Sequence, residues 1–174
     1  ELEKQKVPTR KLLEDPYHFW YIGKSYYDST LGDYPLGMDH IKEYARRSIF
    51  YFGQYLNFKH DYHKTGKAKE IDELAYFALY AMGDMFKLRG NYERALDCGM
   101  KAEEFAPSRN EHIVLQAECY KDLSDFDSMK LQTDRLMNPD RKLPFPQFNF
   151  LLNMEHYNDS GKYCEELHQI ANQA

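Results

Sequence analysis

Apolar residues recur at helical spacing along most of the chain, most clearly in the segment 70–88. There they form one stripe on a helix of about 3.6 residues per turn. Gly90 and Asn91 then predict an end to this helix, because Gly90 can adopt a left-handed backbone and Asn91 can cap a following helix. The next segment keeps apolar and small residues on one face from Tyr92 to Phe105 and stops at Pro107. The short turn permits only antiparallel packing, so the pattern predicts a helical hairpin.

This hairpin fits one unit of a repeat with a period of about 34 residues. When Tyr76 is position 1, small residues fall at Gly83, Ala95 and Ala102, and aromatic residues fall at Phe86 and Tyr92. Small residues let the two helices approach closely, while aromatic rings fill the wedge between neighbouring hairpins. The pattern resembles the tetratricopeptide repeat, which implies a stack of such hairpins.

Weaker copies of the same pattern flank this unit. They predict an all-α fold, a tetratricopeptide-like right-handed array of about four antiparallel helical hairpins (an α-α superhelix). We divide the chain into an N-terminal helix or arm at 1–15 and one domain at 16–174, with units at about 16–59, 70–109, 110–143 and 147–174. The first unit includes a long helix over 39–57, and the polar stretch 60–69 is predicted to be a loop.

The composition excludes several classes of protein. The 23 basic and 28 acidic residues give a formal charge of −5, which argues against nucleic acid as the main partner. The mean hydropathy is −0.78, and no run approaches the roughly 18 apolar residues of a membrane span. Aromatic residues make up 16% of the chain, too many for a disordered protein. Three widely spaced cysteines fit a reducing compartment, so we predict a cytoplasmic location.

The repeat register also predicts a binding surface. In tetratricopeptide units, positions 2, 5, 9 and 12 of the first helix face a concave groove, so the resemblance implies a groove that binds a protein or peptide partner. The residues predicted to line it are Tyr17, Trp20, Lys24, Tyr27, Phe77, Tyr80, Asp84, Lys87, Glu118 and Lys121. Aromatic side chains offer large contact areas at low entropic cost. The alternative is that these rings pack against the neighbouring hairpin or the long helix 39–57. Packing is favoured at most positions, and both interpretations stay open for Tyr17, Trp20, Phe77 and Tyr80.

The charges in this groove constrain the partner. Grooves of the carboxylate-clamp type carry Asn at position 9 with Lys nearby, whereas position 9 here is Lys24, Asp84 and Glu118. The pattern therefore does not support binding of a chaperone tail, and the alternating signs disfavour a strongly anionic or cationic peptide. A homodimer, and occupation of the groove by the chain's own residues 1–15, are both left open.

A second resemblance concerns three stretches, 15–28, 73–84 and 106–111. They are similar to the helical repeat region that follows the catalytic domain in many family-2 glycosyltransferases. This resemblance implies an accessory domain that orients an acceptor, packs on a catalytic domain or drives dimerisation. The Asp-x-Asp pattern of Asp125 and Asp127 has the spacing of a sugar-nucleotide metal motif, but it lies at a helix start and is interpreted as an N-cap.

No arrangement of nucleophile and base can be named from the sequence. His60, Asp61 and His63 lie close together but lack further ligands to complete a metal site, so an exposed loop is the better interpretation. The cysteines, Cys98, Cys119 and Cys164, are predicted to be small helix residues without a nearby base. We therefore predict no enzyme activity for this chain, no catalytic or metal residues and no cofactor, while a full-length protein with a transferase domain stays open.

Overall fold

The computed structural model describes residues 17–32, 37–58, 68–143, 150, 153 and 154. Its elements are α1 (Tyr17–Leu31), α2 (Met38–Phe58), α3 (Ala68–Leu88), α4 (Tyr92–Phe105), α5 (Glu111–Asp122) and α6 (Phe126–Leu136). Within these described ranges the secondary structure is helical and contains no strand.

The six helices pack as three consecutive hairpins, α1 with α2, α3 with α4 and α5 with α6. Each hairpin also contacts the next, because α2 packs on α3 and α4 packs on α5. The first helices α1, α3 and α5 lie in contact with their neighbours along the array. The predicted all-α, tetratricopeptide-like array is therefore confirmed. The fourth hairpin predicted at 147–174, the arm at 1–15 and residues 60–67 of the predicted loop lie outside the described residues, apart from positions 150, 153 and 154.

The turn between α3 and α4 forms as its sequence predicts. Gly90 has φ of +77°, a left-handed backbone that glycine adopts without steric cost. The Gly90 N–H donates to the Lys87 carbonyl oxygen at 2.9 Å, and the Asn91 N–H donates to that of Phe86 at 2.9 Å. The Asn91 side chain then accepts from the Arg94 N–H at 3.3 Å, which caps α4. The α3–α4 hairpin is thereby confirmed at its turn.

Small residues permit close contact between helices. Ala95 and Ala102 of α4 are fully buried beside α3 side chains, Ala95 with Phe86 and Ala102 with Leu79. A Cβ atom added at Gly23 would lie 3.0 Å from the Phe52 ring, so α1 and α2 also meet at a glycine. Residues of small volume at these positions therefore set how tightly the helices pack.

Some helix bounds differ from the sequence-based ones. The second helix spans Met38–Phe58 rather than 39–57, and α3 begins at Ala68, inside the stretch 60–69 that was assigned to a loop. At the start of α5 the N-cap residue is Asn110, whose own N–H donates to Glu111 Oε2 at 3.2 Å. At α6 the expected cap is confirmed, since Asp125 Oδ1 accepts from the Ser128 N–H at 3.1 Å.

Candidate functional site

The side of the array formed by α1, α3 and α5 is called here the first-helix face. All ten residues predicted to line a partner groove lie on these three helices. Eight of them divide by their environment into an aromatic group at the junction of the first two hairpins and a polar group that runs from α3 to α5, and Lys24 and Lys121 belong to neither group. The role of both groups in partner binding stays a prediction.

The aromatic group packs between the first and second hairpins. Trp20 and Tyr27 of α1 are each 8% exposed, and both contact the half-buried Phe77 of α3. The ring centroids lie 5.3 Å apart for Trp20 and Phe77, and 5.7 Å apart for Tyr27 and Phe77. The Trp20 indole N–H also donates to the Leu74 carbonyl oxygen at 3.0 Å. These rings hold the two hairpins together, and Tyr17 is half-buried at the start of α1.

The polar group is centred on Asp84. The Tyr27 hydroxyl donates to Asp84 Oδ2 at 2.9 Å, and the Tyr80 hydroxyl is a second hydrogen-bond partner of this carboxylate. Lys87 Nζ lies 3.7 Å from Asp84 Oδ1 and forms a closer ion pair with Glu118 of α5. One network therefore joins the first helices of all three described hairpins.

Burial and charge perturb the titration of this network. Burial raises the pKa of Asp84 above its usual value, although Lys87 and the Tyr27 hydroxyl act in the opposite direction. Burial and the Asp84 charge raise the pKa of both Tyr27 and Tyr80. Burial acts to lower the pKa of Lys87, but its contacts with Glu118 and Asp84 together raise this pKa above its usual value. The tyrosines are thus hydrogen-bond donors and Lys87 is an ammonium group at neutral pH.

A cleft of about 410 Å³ opens beside this network. Its polar lining is formed by Tyr80, Asp84, Lys87 and Glu118. Its apolar lining is formed by Leu31, Met85, Leu88, Val114 and Leu115. A concave site with apolar walls and a few convergent polar groups is the usual form of a binding site.

The two remaining predicted residues form local ion pairs. Lys24 Nζ lies 2.5 Å from Asp28 Oδ2 and 6.0 Å from the centroid of the Phe77 ring. Lys121 Nζ lies 3.8 Å from Asp122 Oδ1. Exposed pairs of this kind contribute little to stability, typically about 0.2 to 1 kcal/mol.

A second polar network was not found from the sequence. The Tyr76 hydroxyl lies 3.1 Å from Glu111 Oε2 and accepts the His112 backbone N–H at 3.2 Å, while Arg109 stacks 4.8 Å above the Tyr76 ring. His112 is fully buried, and its Nε2 atom, 3.8 Å from the Glu103 carboxylate, makes no hydrogen bond. Burial lowers its pKa to about 4. Tyr76 holds position 1 of its unit and Glu111 position 2 of the next, so the repeat register alone does not pair them.

The two cysteines within the described ranges, Cys98 and Cys119, are both buried. Burial raises the pKa of both the Cys98 and the Cys119 thiol to about 12, so neither is a thiolate at neutral pH. Across the described ranges, no three metal-ligating side chains converge on one point. His60, Asp61, His63 and Cys164 lie outside those ranges. None of the helices described has both the length and the apolar character needed to cross a membrane.

A larger cleft of about 690 Å³ lies on another side of the molecule, between α2, α3 and α4. Met82 and Phe86 of α3 form part of its floor, and Gly53 on α2 leaves one wall without a side chain. The charged residues of α4 at this cleft include the Asp97–Lys101 pair, whose atoms lie 2.7 Å apart. This cleft is a second concave surface and shares no lining residue with the cleft beside Asp84.

Comparison with known proteins finds similar solved structures but no relative by sequence. No family model matches the chain, and no curated protein matches it. The structure is similar to the Hsp90 co-chaperone Cns1 from Saccharomyces cerevisiae (delta69), with a TM-score of 0.56 and 14% sequence identity. The match covers 97% of this chain and 45% of that protein. At this identity the likeness shows the fold alone, and the resemblance to family-2 glycosyltransferases finds no support in these comparisons.

Proposed function

We propose that this chain is a non-catalytic, tetratricopeptide-like interaction domain that binds a protein partner through its first-helix face. The observation that carries the proposal is the cleft beside Asp84, where apolar walls meet Tyr80, the Asp84 carboxylate and an ion pair between hairpins. Such a surface offers buried contact area together with a few directional polar groups. The name of the structural relative, a co-chaperone, supports protein binding as a use of this fold.

The aromatic residues contribute to this function in two ways. Trp20 and Tyr27 have little exposed surface, so we assign them mainly to the placement of α1 against α3. Tyr80 lines the cleft and can present its ring edge to a partner while its hydroxyl group stays on Asp84. We therefore place the partner contact on the α3–α5 part of the predicted aromatic groove.

The test is site-specific photo-crosslinking from two exposed apolar positions. Leu88 lines the cleft and is 43% exposed, and Met100 on α4 is 48% exposed and lies outside it. A photoreactive phenylalanine analogue at position 88 is expected to crosslink one discrete partner in cells, identified by mass spectrometry. The same analogue at position 100 is the matched control. Capture from position 100 with none from position 88 would contradict the proposal.

Further proposals concern the location of the protein, its dimerisation and an alternative function. We expect a cytoplasmic protein, because the buried cysteines suit a reducing compartment. A homodimer through the first-helix face would crosslink position 88 to a second copy of the chain. The alternative function, an accessory domain of a family-2 glycosyltransferase, requires a strand–helix domain with an Asp-x-Asp motif, and reading the gene upstream of Glu1 decides it.

A further inference from the structure

Away from the cleft, three pairs of opposite charges lie on or beside the first-helix face. The balanced pairs are Lys24 with Asp28, Arg109 with Glu111, and Lys121 with Asp122. At the cleft, Lys87 is the cation for both Asp84 and Glu118. Among the described residues at the cleft, two carboxylates therefore share one ammonium group, which leaves an excess of one negative charge in a partly enclosed, apolar site.

Asp84 is the carboxylate with the weaker compensation. Lys87 Nζ contacts Glu118 directly but lies 3.7 Å from Asp84, whose nearest partners are the neutral hydroxyl groups of Tyr27 and Tyr80. A buried carboxylate is costly unless it is paired with a cation. An additional positive charge in the cleft would therefore lower the free energy of the network.

The walls of the cleft suit the aliphatic part of such a cation. Leu31 and Leu88 form exposed apolar wall positions, with 55% and 43% of their surface accessible, and Val114 lies across from them on α5. Lysine and arginine carry aliphatic stems that pack on apolar surface while the charged group reaches a polar partner. A volume of about 410 Å³ is near the lower end for ligand sites, so it suits a side chain rather than a folded domain.

We propose that the cleft receives a lysine or arginine side chain, flanked by an aliphatic residue, from a segment of the protein partner. This proposal rests on the function proposed above and names the chemistry that the same face recognises. A single basic residue is compatible with the alternating charges of the wider face. An acidic side chain fits poorly, because any position within reach of Lys87 also lies near Asp84 and Glu118.

The test uses three short fluorescent peptides that differ at one position. Each places its central residue, arginine, glutamine or glutamate, between two leucines. We expect the arginine peptide to bind the full chain at least about tenfold more tightly than the glutamate peptide, by fluorescence anisotropy at low salt. Amide NMR signals of Leu88 and Val114 should shift on binding. Glu118→Gln should weaken binding of the arginine peptide about tenfold and leave the glutamine peptide unchanged. Glu104→Gln, an exposed position on α4, is the matched control and should change neither affinity.

Distinct outcomes separate this proposal from the function on which it rests. Equal or tighter binding of the glutamate peptide, or insensitivity of the arginine peptide to Glu118→Gln, overturns the basic-residue proposal. Failure of all three peptides to shift Leu88 and Val114 at millimolar concentration overturns it as well. If position 88 crosslinks a partner through a segment without lysine or arginine, the proposal falls and the interaction function stands. If position 88 crosslinks nothing, the function itself falls.

Discussion

Gly83 of α3 lies directly against Leu115 of α5, so closely that a Cβ atom added at Gly83 would come within 2.4 Å of Leu115 Cδ2. The same Cβ would lie 3.3 Å from the Ala95 carbonyl oxygen and 3.4 Å from Cys98 Cβ in α4. The lack of a side chain at Gly83 thus permits close contact within its hairpin and still closer contact between hairpins. Leu115 is 1% exposed, so room for the Cβ requires its Cδ2 methyl group to shift towards the cleft that it lines, while the Ala95 carbonyl oxygen is fixed in the backbone of α4.

We expect Gly83→Ala to lower the free energy of unfolding. Overpacking costs about 1 to 3 kcal/mol, which exceeds the gain of about 0.5 to 1 kcal/mol from replacing glycine in a helix. Gly53→Ala is the matched control, since no atom lies within 4 Å of its added Cβ, and it should stabilise the chain by about 0.5 to 1 kcal/mol. Urea unfolding measures both. A stabilising Gly83→Ala would show that α3 and α5 do not pack at this distance.

The hydrogen bond from Trp20 to Leu74 gives a second prediction. Trp20→Phe keeps an aromatic ring beside Phe52 and Phe77 but removes the indole N–H that reaches α3. We expect the free energy of unfolding to fall by about 1 to 2 kcal/mol, through the lost bond and the smaller ring. Tyr21→Phe, at a neighbouring exposed position, should change it by less than about 0.5 kcal/mol. Equal effects would mean that Trp20 does not join the hairpins.

Much of the fold could be predicted because its determinants are local. The apolar stripe of α3, the left-handed Gly90 and the cap at Asn91 each depend on residues within a few positions of one another. The repeat period then extends one hairpin to its neighbours. The least accurate bounds were at the two ends of α2 and at the start of α3, where no Ser, Thr, Asp or Asn immediately flanks the helix in the sequence.

The candidate site was harder to predict because its contacts connect different units. The repeat register selects residues on the first-helix face. It does not show that Tyr27 of the first hairpin donates a hydrogen bond to Asp84 of the second. Nor does it show that Lys87 pairs with Glu118 of the next unit. Such pairs depend on the distance between hairpins, which packing at Gly83 determines rather than any local pattern.

Buried His112 predicts a loss of stability in acid. Burial lowers its pKa in the folded chain to about 4, from about 6.5 when exposed, with Arg135 and Arg141 adding to the effect and Glu103 opposing it. The unfolded chain therefore binds more protons between these values, and stability falls as the pH drops from about 6.5 towards 4. The loss from this group is at most about 3 kcal/mol.

The measurement is urea unfolding at several pH values between about 7.5 and 5, for the natural chain and for His112→Asn. The variant should show a shallower loss of stability in acid, even if it is less stable at neutral pH. His40→Asn, at an exposed position on α2, is the control and should keep the natural pH dependence. Parallel curves for His112→Asn and the natural chain would contradict the assignment of this loss to His112.

The thiols of Cys98 and Cys119 should react slowly in the folded chain. Both side chains are buried, so a reagent has little access to them. Their pKa values are raised to about 12, so almost no thiolate forms at mild pH. In a Cys164→Ser background, we expect modification by an aromatic disulfide reagent to be at least about 100-fold slower than in denaturant. Met100→Cys, at an exposed position of α4, should add one thiol that reacts at once. Rapid reaction of Cys98 or Cys119 would show that the α3–α5 region opens readily.

Asp84→Asn should separate binding from stability. The amide oxygen can still accept from the Tyr27 and Tyr80 hydroxyls, while the cost of burying a charge disappears. Because burial raises the pKa of Asp84, the folded chain binds this proton more readily than the unfolded chain, and the charged carboxylate costs stability at neutral pH. We therefore expect an unfolding free energy that is unchanged or higher by up to about 1 kcal/mol at pH 7, together with at least fivefold weaker binding of the arginine peptide. Asp97→Asn, at an exposed position of α4, should alter neither quantity by more than about 0.5 kcal/mol. If Asp84→Asn instead lowered the unfolding free energy by more than about 1 kcal/mol, Asp84 would serve chiefly to link α1 to α3. Its carboxylate would then be explained by stability rather than by recognition of a partner.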